Sequence, residues 1–164
     1  MWSRLVLAGI AAAAASAAWA RETVPFPDKI EPGTVVVRTA ERRLYFVQRD
    51  GTAVSYPVAV GKPGKQWFGE AQIDGKYVRP AWSPPAEVKR DNPRLPDVIP
   101  GGAPNNPMGA RALTLNLDEY AIHGTNRPSS IGTYASYGCI RMLNQDIVDL
   151  YEQVNVGTRV VVVP

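Results

Sequence analysis

Cys139 is the only cysteine in this 164-residue chain, so no intramolecular disulfide can brace the fold. A packed apolar core must hold it together, and the chain is long enough to bury one. The material for that core comes in short β-prone runs. Thr34-Val-Val-Val-Arg-Thr39 and Arg43-Leu-Tyr-Phe-Val-Gln48 are rich in β-branched and aromatic residues and predict strands. Asp50-Gly51 is a hairpin turn signal, followed by a strand from Ala53 to Val60. Residues 67–78 read as a further short pair of strands turning at Asp74-Gly75. Leu113 to Leu117 alternates apolar and polar, and Tyr120-Ala-Ile122 is a short strand that ends at His123. Arg159 to Val163 predicts a central, buried strand.

One substantial helix is expected. Asn144 reads as its cap and Asp146 lies in its first turn, where the helix dipole favours a carboxylate. Ile147, Leu150, Tyr151 and Val154 recur at helical spacing and form the inward face. Residues 80–110 carry eight prolines, with room for a short helix from Pro85 through Arg90. A loop this long in a compact domain usually serves or covers a site. The fold class is therefore mainly β, mixed with one substantial helix.

The first twenty residues have the layout of a cleavable secretory signal. Arg4 is the positive flank, Leu5 to Ala18 the apolar stretch, and Ala18-Trp19-Ala20 a small-residue cleavage site. The apolar run is shorter than the ~20 residues of a spanning helix. The expected mature chain starts at Arg21, is exported, and has no stable membrane insertion. Residues 21–33, with three prolines, are expected to form an N-terminal arm or surface linker, ahead of one domain over 34–164. The formal net charge is +3, and the basic residues are scattered. No basic stripe tracks phosphates, so nucleic acid is not an expected partner. One His and one Cys cannot fill a structural zinc site, so no metal held by nitrogen and sulfur ligands is expected.

An exported chain with one unpaired thiol carries a chemical liability unless the thiol is used. The only histidine, His123, lies sixteen residues before Cys139. An imidazole is the natural base for a thiol near neutral pH. Gly124 follows His123 with an uncrowded carbonyl that can accept the Nδ1 proton and leave Nε2 to face sulfur. Gly138 precedes Cys139 and lets the backbone approach a substrate, with amides at Gly138 and Cys139 available as an oxyanion hole. Together these features point to nucleophile and base. A papain-like protease has the opposite order, with cysteine first and histidine far downstream.

His123-Gly124-Thr125 followed by Ser136-Tyr137-Gly138-Cys139-Ile140-Arg141 resembles the signature of the L,D-transpeptidase (YkuD-type) catalytic domain. Trp82-Ser83-Pro84-Pro85, Asn106 to Leu113 and Tyr56 to Gly61 resemble stretches of its periplasmic ErfK/YbiS-like members. The resemblance implies a mixed, mainly β, sandwich-like catalytic domain with the cysteine beside a groove. It implies two-step acyl transfer on peptidoglycan stem peptides, with Cys139 as nucleophile, His123 as base and the Gly124 carbonyl orienting the ring. It implies an oxyanion hole from the amides of Tyr137, Gly138 and Cys139. Arg141 is implied as a substrate-side or loop-fixing cation. Ser136 is placed on the substrate side, although Ser136 and Thr125 also suit loop hydrogen bonding. The expected acceptor is an amine, from another stem or from an outer-membrane protein or lipoprotein. Water as acceptor gives a hydrolase with the same residues, and a non-catalytic wall-binding module is the third reading. Many members have His where this chain has Tyr137, and the stretch at Gln66 to Gly69 lacks the usual Thr-Pro.

Overall fold

The computed structural model describes residues 20–117 and 119–164, so the expected secretion signal lies outside the described residues. Ten strands form the framework: β1 (Glu22–Pro25), β2 (Val35–Arg38), β3 (Arg43–Val47), β4 (Thr52–Gly61), β5 (Gly69–Val78), β6 (Arg111–Leu115), β7 (Ala121–His123), β8 (Tyr134–Ser136), β9 (Ile140–Met142) and β10 (Arg159–Val163). Among the described residues two α-helices interrupt them, α1 (Ala86–Asp91) and α2 (Asn144–Gln153). The expected meander is present, with β2, β3 and β4 pairing antiparallel in sequence order. β10 lies centrally, parallel to β2 and antiparallel to β5. It is half-buried rather than fully buried, because its residues alternate between the core and an accessible face.

The sandwich-like closure comes from two strands of ten residues that each pass from one set of partners to another along their length. The first half of β4 pairs with β3 up to Pro57, and Val58 and Ala59 then pair with β9. Pro57 has no N–H to give a ladder, which suits the point where a strand leaves one partner for another. β5 pairs with β10 through Gly69 to Gln72 and with β6 from Ile73 onward. Its register shifts between Ile73 and Gly75. Asp74-Gly75 is therefore not the turn of a hairpin, as its sequence suggests. It is a bulge at which one continuous strand bends between sheets.

Residues 21–33 lie along the sheet as an arm: β1 pairs antiparallel with β4, and Phe26 is buried with Val36, Val47 and Ala53. One further expectation is corrected. Asn144 is the first residue of α2, and Leu143 occupies the cap position without a side-chain hydrogen bond. The Asn144 carboxamide is used elsewhere, as described below.

The main core is built from Val35, Val37, Leu44, Val58, Val60, Ile73, Leu113, Ile122, Ile140, Met142, Val160 and Val162, with Ile147, Leu150 and Val154 from α2 and its C-terminal end. Tyr56 is fully buried among them. Its hydroxyl is 2.6 Å from Asp149 Oδ2 and accepts a bond from Gln153 Nε2, which anchors α2 to β4. Leu150 has no solvent exposure. Leu150→Ala is expected to destabilise the domain by about 2–5 kcal/mol, the range for truncating a buried leucine, read from the urea midpoint at unchanged slope.

Candidate active site

β7 and β9 are three residues each and lie side by side in parallel, with Ile122 opposite Ile140 and His123 opposite Arg141. Side chains alternate across a strand. Ile122 and Ile140 accordingly point into the core, while His123 and Arg141 share the other face. Cys139 immediately precedes β9. All three line one cavity of about 560 Å³.

The His123 ring is fixed as its sequence context suggests. Nδ1 lies 2.7 Å from the Gly124 carbonyl, which accepts its proton and makes Nε2 the basic nitrogen. The ring is buried, and its pKa falls from 6.5 to about 4. Burial is the largest cause and the positive charge of Arg141 adds to it, while the carbonyls of Gly124 and Pro107 act in the opposite sense. Burial also raises the Cys139 thiol pKa, against the opposing pull of the Ala121 amide and Arg141. Thiol and imidazole are thus both neutral at rest. They share the cavity without a direct hydrogen bond, and the thiol points to the Glu119 carbonyl at 4.0 Å. Catalytic contacts of this kind often tighten only when substrate is bound.

The turn carrying Cys139 is tightly organised. Ser136 Oγ accepts from the Gly138 amide at 3.1 Å and donates to the Cys139 carbonyl at 2.6 Å. Ser136 is buried and lines the same cavity, and its hydroxyl proton is used within the turn. The same bond takes the Gly138 amide out of the expected oxyanion hole. Among the described residues, the amides of Tyr137 and Cys139 donate no hydrogen bond. Gly138 has φ +129°, and a Cβ there would sit 2.3 Å from the Tyr120 ring, so both conformation and space require glycine. Trp67 donates through Nε1 to the Gly138 carbonyl at 2.9 Å and stacks on Tyr120. The Trp67 stretch therefore props the cysteine turn from behind, a role its sequence did not announce.

Asn144 clamps the histidine loop. Its Oδ1 accepts from the amides of Ala110 (3.0 Å) and Thr125 (3.1 Å), and its Nδ2 donates to the Thr125 carbonyl. A Cβ on Gly124 would lie 2.2 Å from that Oδ1, so this glycine makes room for the clamp. Thr125 proves to be a loop residue, its Oγ1 accepting from the Arg127 amide.

The proline-rich segment roofs the cavity through Trp82, α1, Pro107 and Met108. No residue of α1 is buried, and the helix is held by polar tethers. Glu87 pairs with Lys65, and Tyr137 Oη donates to Asp91 at 2.6 Å. Lys62 Nζ lies 3.6 Å from the centre of the Tyr137 ring and 3.8 Å from Asp91. The Tyr137 side chain thus faces the roof, not the sulfur. Arg141 donates through Nη1 to Ser130 Oγ at 3.0 Å and forms no salt bridge among the described residues.

A neutral thiol and a tautomer-fixed imidazole on one cavity wall are the groups that cysteine nucleophilic catalysis requires. The family model of the L,D-transpeptidase catalytic domain (YkuD) matches residues 32–162. The chain belongs to this family. It is 40% identical over 143 residues to the probable L,D-transpeptidase YbiS of Escherichia coli K12, a match covering 82% of this chain and 45% of YbiS. The chain thus spans a little under half of that relative. An Enterococcus faecium L,D-transpeptidase structure shares the fold with TM-score 0.65 at 16% identity, covering 82% of this chain and 50% of that one. A Brucella melitensis structure named as a probable carnitine operon oxidoreductase is 42% identical, with TM-score 0.58, covering 88% of this chain and 94% of that one.

Two outcomes follow from this geometry. The folded His123 pKa is depressed below its unfolded value, so the unfolded chain binds a proton that the folded chain refuses. Stability is expected to fall as pH drops from about 6.5 towards about 4, and His123→Gln is expected to flatten that slope in urea titrations across the window. Asn144→Ala leaves buried backbone groups unpaired and is expected to lower stability by about 1–3 kcal/mol, measured by thermal unfolding.

Proposed function

We propose that this protein is an exported peptidoglycan L,D-transpeptidase working by cysteine acyl transfer. The carrying observation is that Cys139 and His123 line one cavity, with His123 Nδ1 committed to the Gly124 carbonyl so that Nε2 is free to act as base. Family membership supports the same reading. Residues 1–20 are the secretion signal, the catalytic domain runs over 34–164, and the compartment is the periplasm.

In this mechanism Nε2 of His123 takes the thiol proton as sulfur attacks the carbonyl of the third stem residue. Concerted transfer suits the resting state, because a raised thiol pKa and a lowered imidazole pKa disfavour a standing ion pair. The charge of Arg141 and the Ala121 amide stabilise the thiolate as it forms. The oxyanion accepts bonds from the amides of Tyr137 and Cys139, the two in the turn without a partner. His123 then protonates the leaving amine, D-alanine departs and a thioester remains. An amine from another stem, or from an outer-membrane protein or lipoprotein, attacks the thioester with His123 again as base. No step calls for a metal or a cofactor.

The test is product analysis by mass spectrometry on disaccharide-tetrapeptides, with and without an acceptor amine. Release of D-alanine with a cross-linked product is expected. Release without any cross-link in the presence of acceptor would make the protein a hydrolase. Cys139→Ala is expected to abolish release while remaining folded. His123→Gln is expected to lower kcat/KM by ~10²–10⁴-fold. Wild-type kcat/KM is expected to rise with pH through an acid limb near about 4 and to be flat around neutrality, since the active base is the neutral ring. A limb near 6.5 instead would mean that His123 is not the buried base described here.

A further inference from the structure

We propose that Arg141 and Arg127, braced by Ser130, form a carboxylate subsite that reads the free terminal carboxylate of the residue that leaves. The inference rests on the acyl-transfer reading and names what sets its specificity. Ser130 Oγ donates to the Arg127 carbonyl at 2.7 Å and accepts from Arg141 Nη1 at 3.0 Å. That contact uses one arm of the guanidinium and orients the rest. The Nε–H of Arg141 is buried without a partner, and Nη2 has none either. Nε and Nη2 form the side edge of the guanidinium, the one that grips a carboxylate with two parallel bonds.

The charge balance points the same way. Among the described residues, neither Arg127 nor Arg141 pairs with a carboxylate. Both line the cavity. Arg141 is half-buried, where a cation without a counter-charge is costly and calls for an anionic occupant; Arg127, which is exposed, adds positive charge beside it. The place of the subsite identifies that occupant. Arg141 is the register partner of His123. His123 gives its proton to the leaving nitrogen, so Arg141 lies on the leaving-group side. In a C-terminal residue, that nitrogen is separated from a free carboxylate by one carbon. An internal peptide bond offers no charge there, so the subsite confines the enzyme to chain ends.

The probe pair is bromoacetylglycine and its glycinamide analogue. Each alkylates a thiol by displacing bromide, and they differ only in the terminal charge. Neither needs acyl transfer, so the result is independent of turnover. The full-length mature protein is expected to react at Cys139 faster with the acid than with the amide. The ratio should exceed that of glutathione by on the order of tenfold, the scale of one charge-assisted contact. Arg127→Gln is expected to bring the ratio most of the way to glutathione's. Arg141→Lys, which keeps the charge but loses the fork, is expected to fall between. A wild-type ratio equal to glutathione's overturns the subsite and leaves the acyl-transfer reading standing. A thiol unreactive towards both reagents overturns both. A parallel arm compares the tetrapeptide donor with its C-terminal amide. The acid should have the lower KM, and Arg127→Gln should erase that difference.

Discussion

The parallel pairing of β7 with β9 is the contact on which the site depends. Each strand is three residues long and contributes one apolar side chain to the core, Ile122 and Ile140. Burying those two residues fixes the register. The alternation of a strand then sends His123 and Arg141 to the opposite face without further choice. A slip of one residue would exchange the faces, placing the imidazole in the core and an isoleucine in the cavity. Parallel neighbours need a crossover, and here residues 124–139 supply it. That crossover carries Ser130, the β8 strand and the turn that presents the thiol.

The electrostatics of the cavity follow from burial more than from pairing. Desolvation acts on both reactive groups, lowering the base and raising the acid, so neither carries charge at rest. The cations on the wall favour the thiolate once it forms and disfavour a protonated ring. The roof is held differently. α1 contributes no buried residue and rests on charged and hydroxyl contacts at the protein surface. A cover of this type is a natural candidate for the least stable part of the fold, because few apolar contacts are lost when it moves.

The strongly patterned segments were legible in sequence. β2 to β4, β10 and the inward face of α2 appear within a residue or two of where composition and periodicity put them, as did the short helix after Pro85. The misreadings share a cause. Asp74-Gly75 has the chemistry of a turn, yet β10 on one side and β6 on the other hold it extended as a bulge. Asn144 has the chemistry of a cap, yet its carboxamide finds better partners in two distant backbone segments. β8 and β9 are too short for a periodicity signal and exist because β4 and β7 offer them edges. Trp67 gave no hint of its support for Gly138, since that bond spans seventy-one residues of chain.

What the residues determined on their own is the chemistry available: one thiol, one imidazole, a glycine beside each and no disulfide, on a chain with the strand content for a mainly β domain. Even the bond from His123 Nδ1 to the Gly124 carbonyl is local enough to be read from adjacent positions. What only the tertiary structure decided is which groups meet. Parallel pairing brings His123 beside Arg141, a serine hydroxyl withdraws the Gly138 amide, and Tyr137 turns towards Asp91 in the roof. The physical reason is range. Backbone and capping preferences act over a few residues, whereas burial and register join residues far apart in sequence, and those long-range contacts set the pKa values and the shape of the cavity.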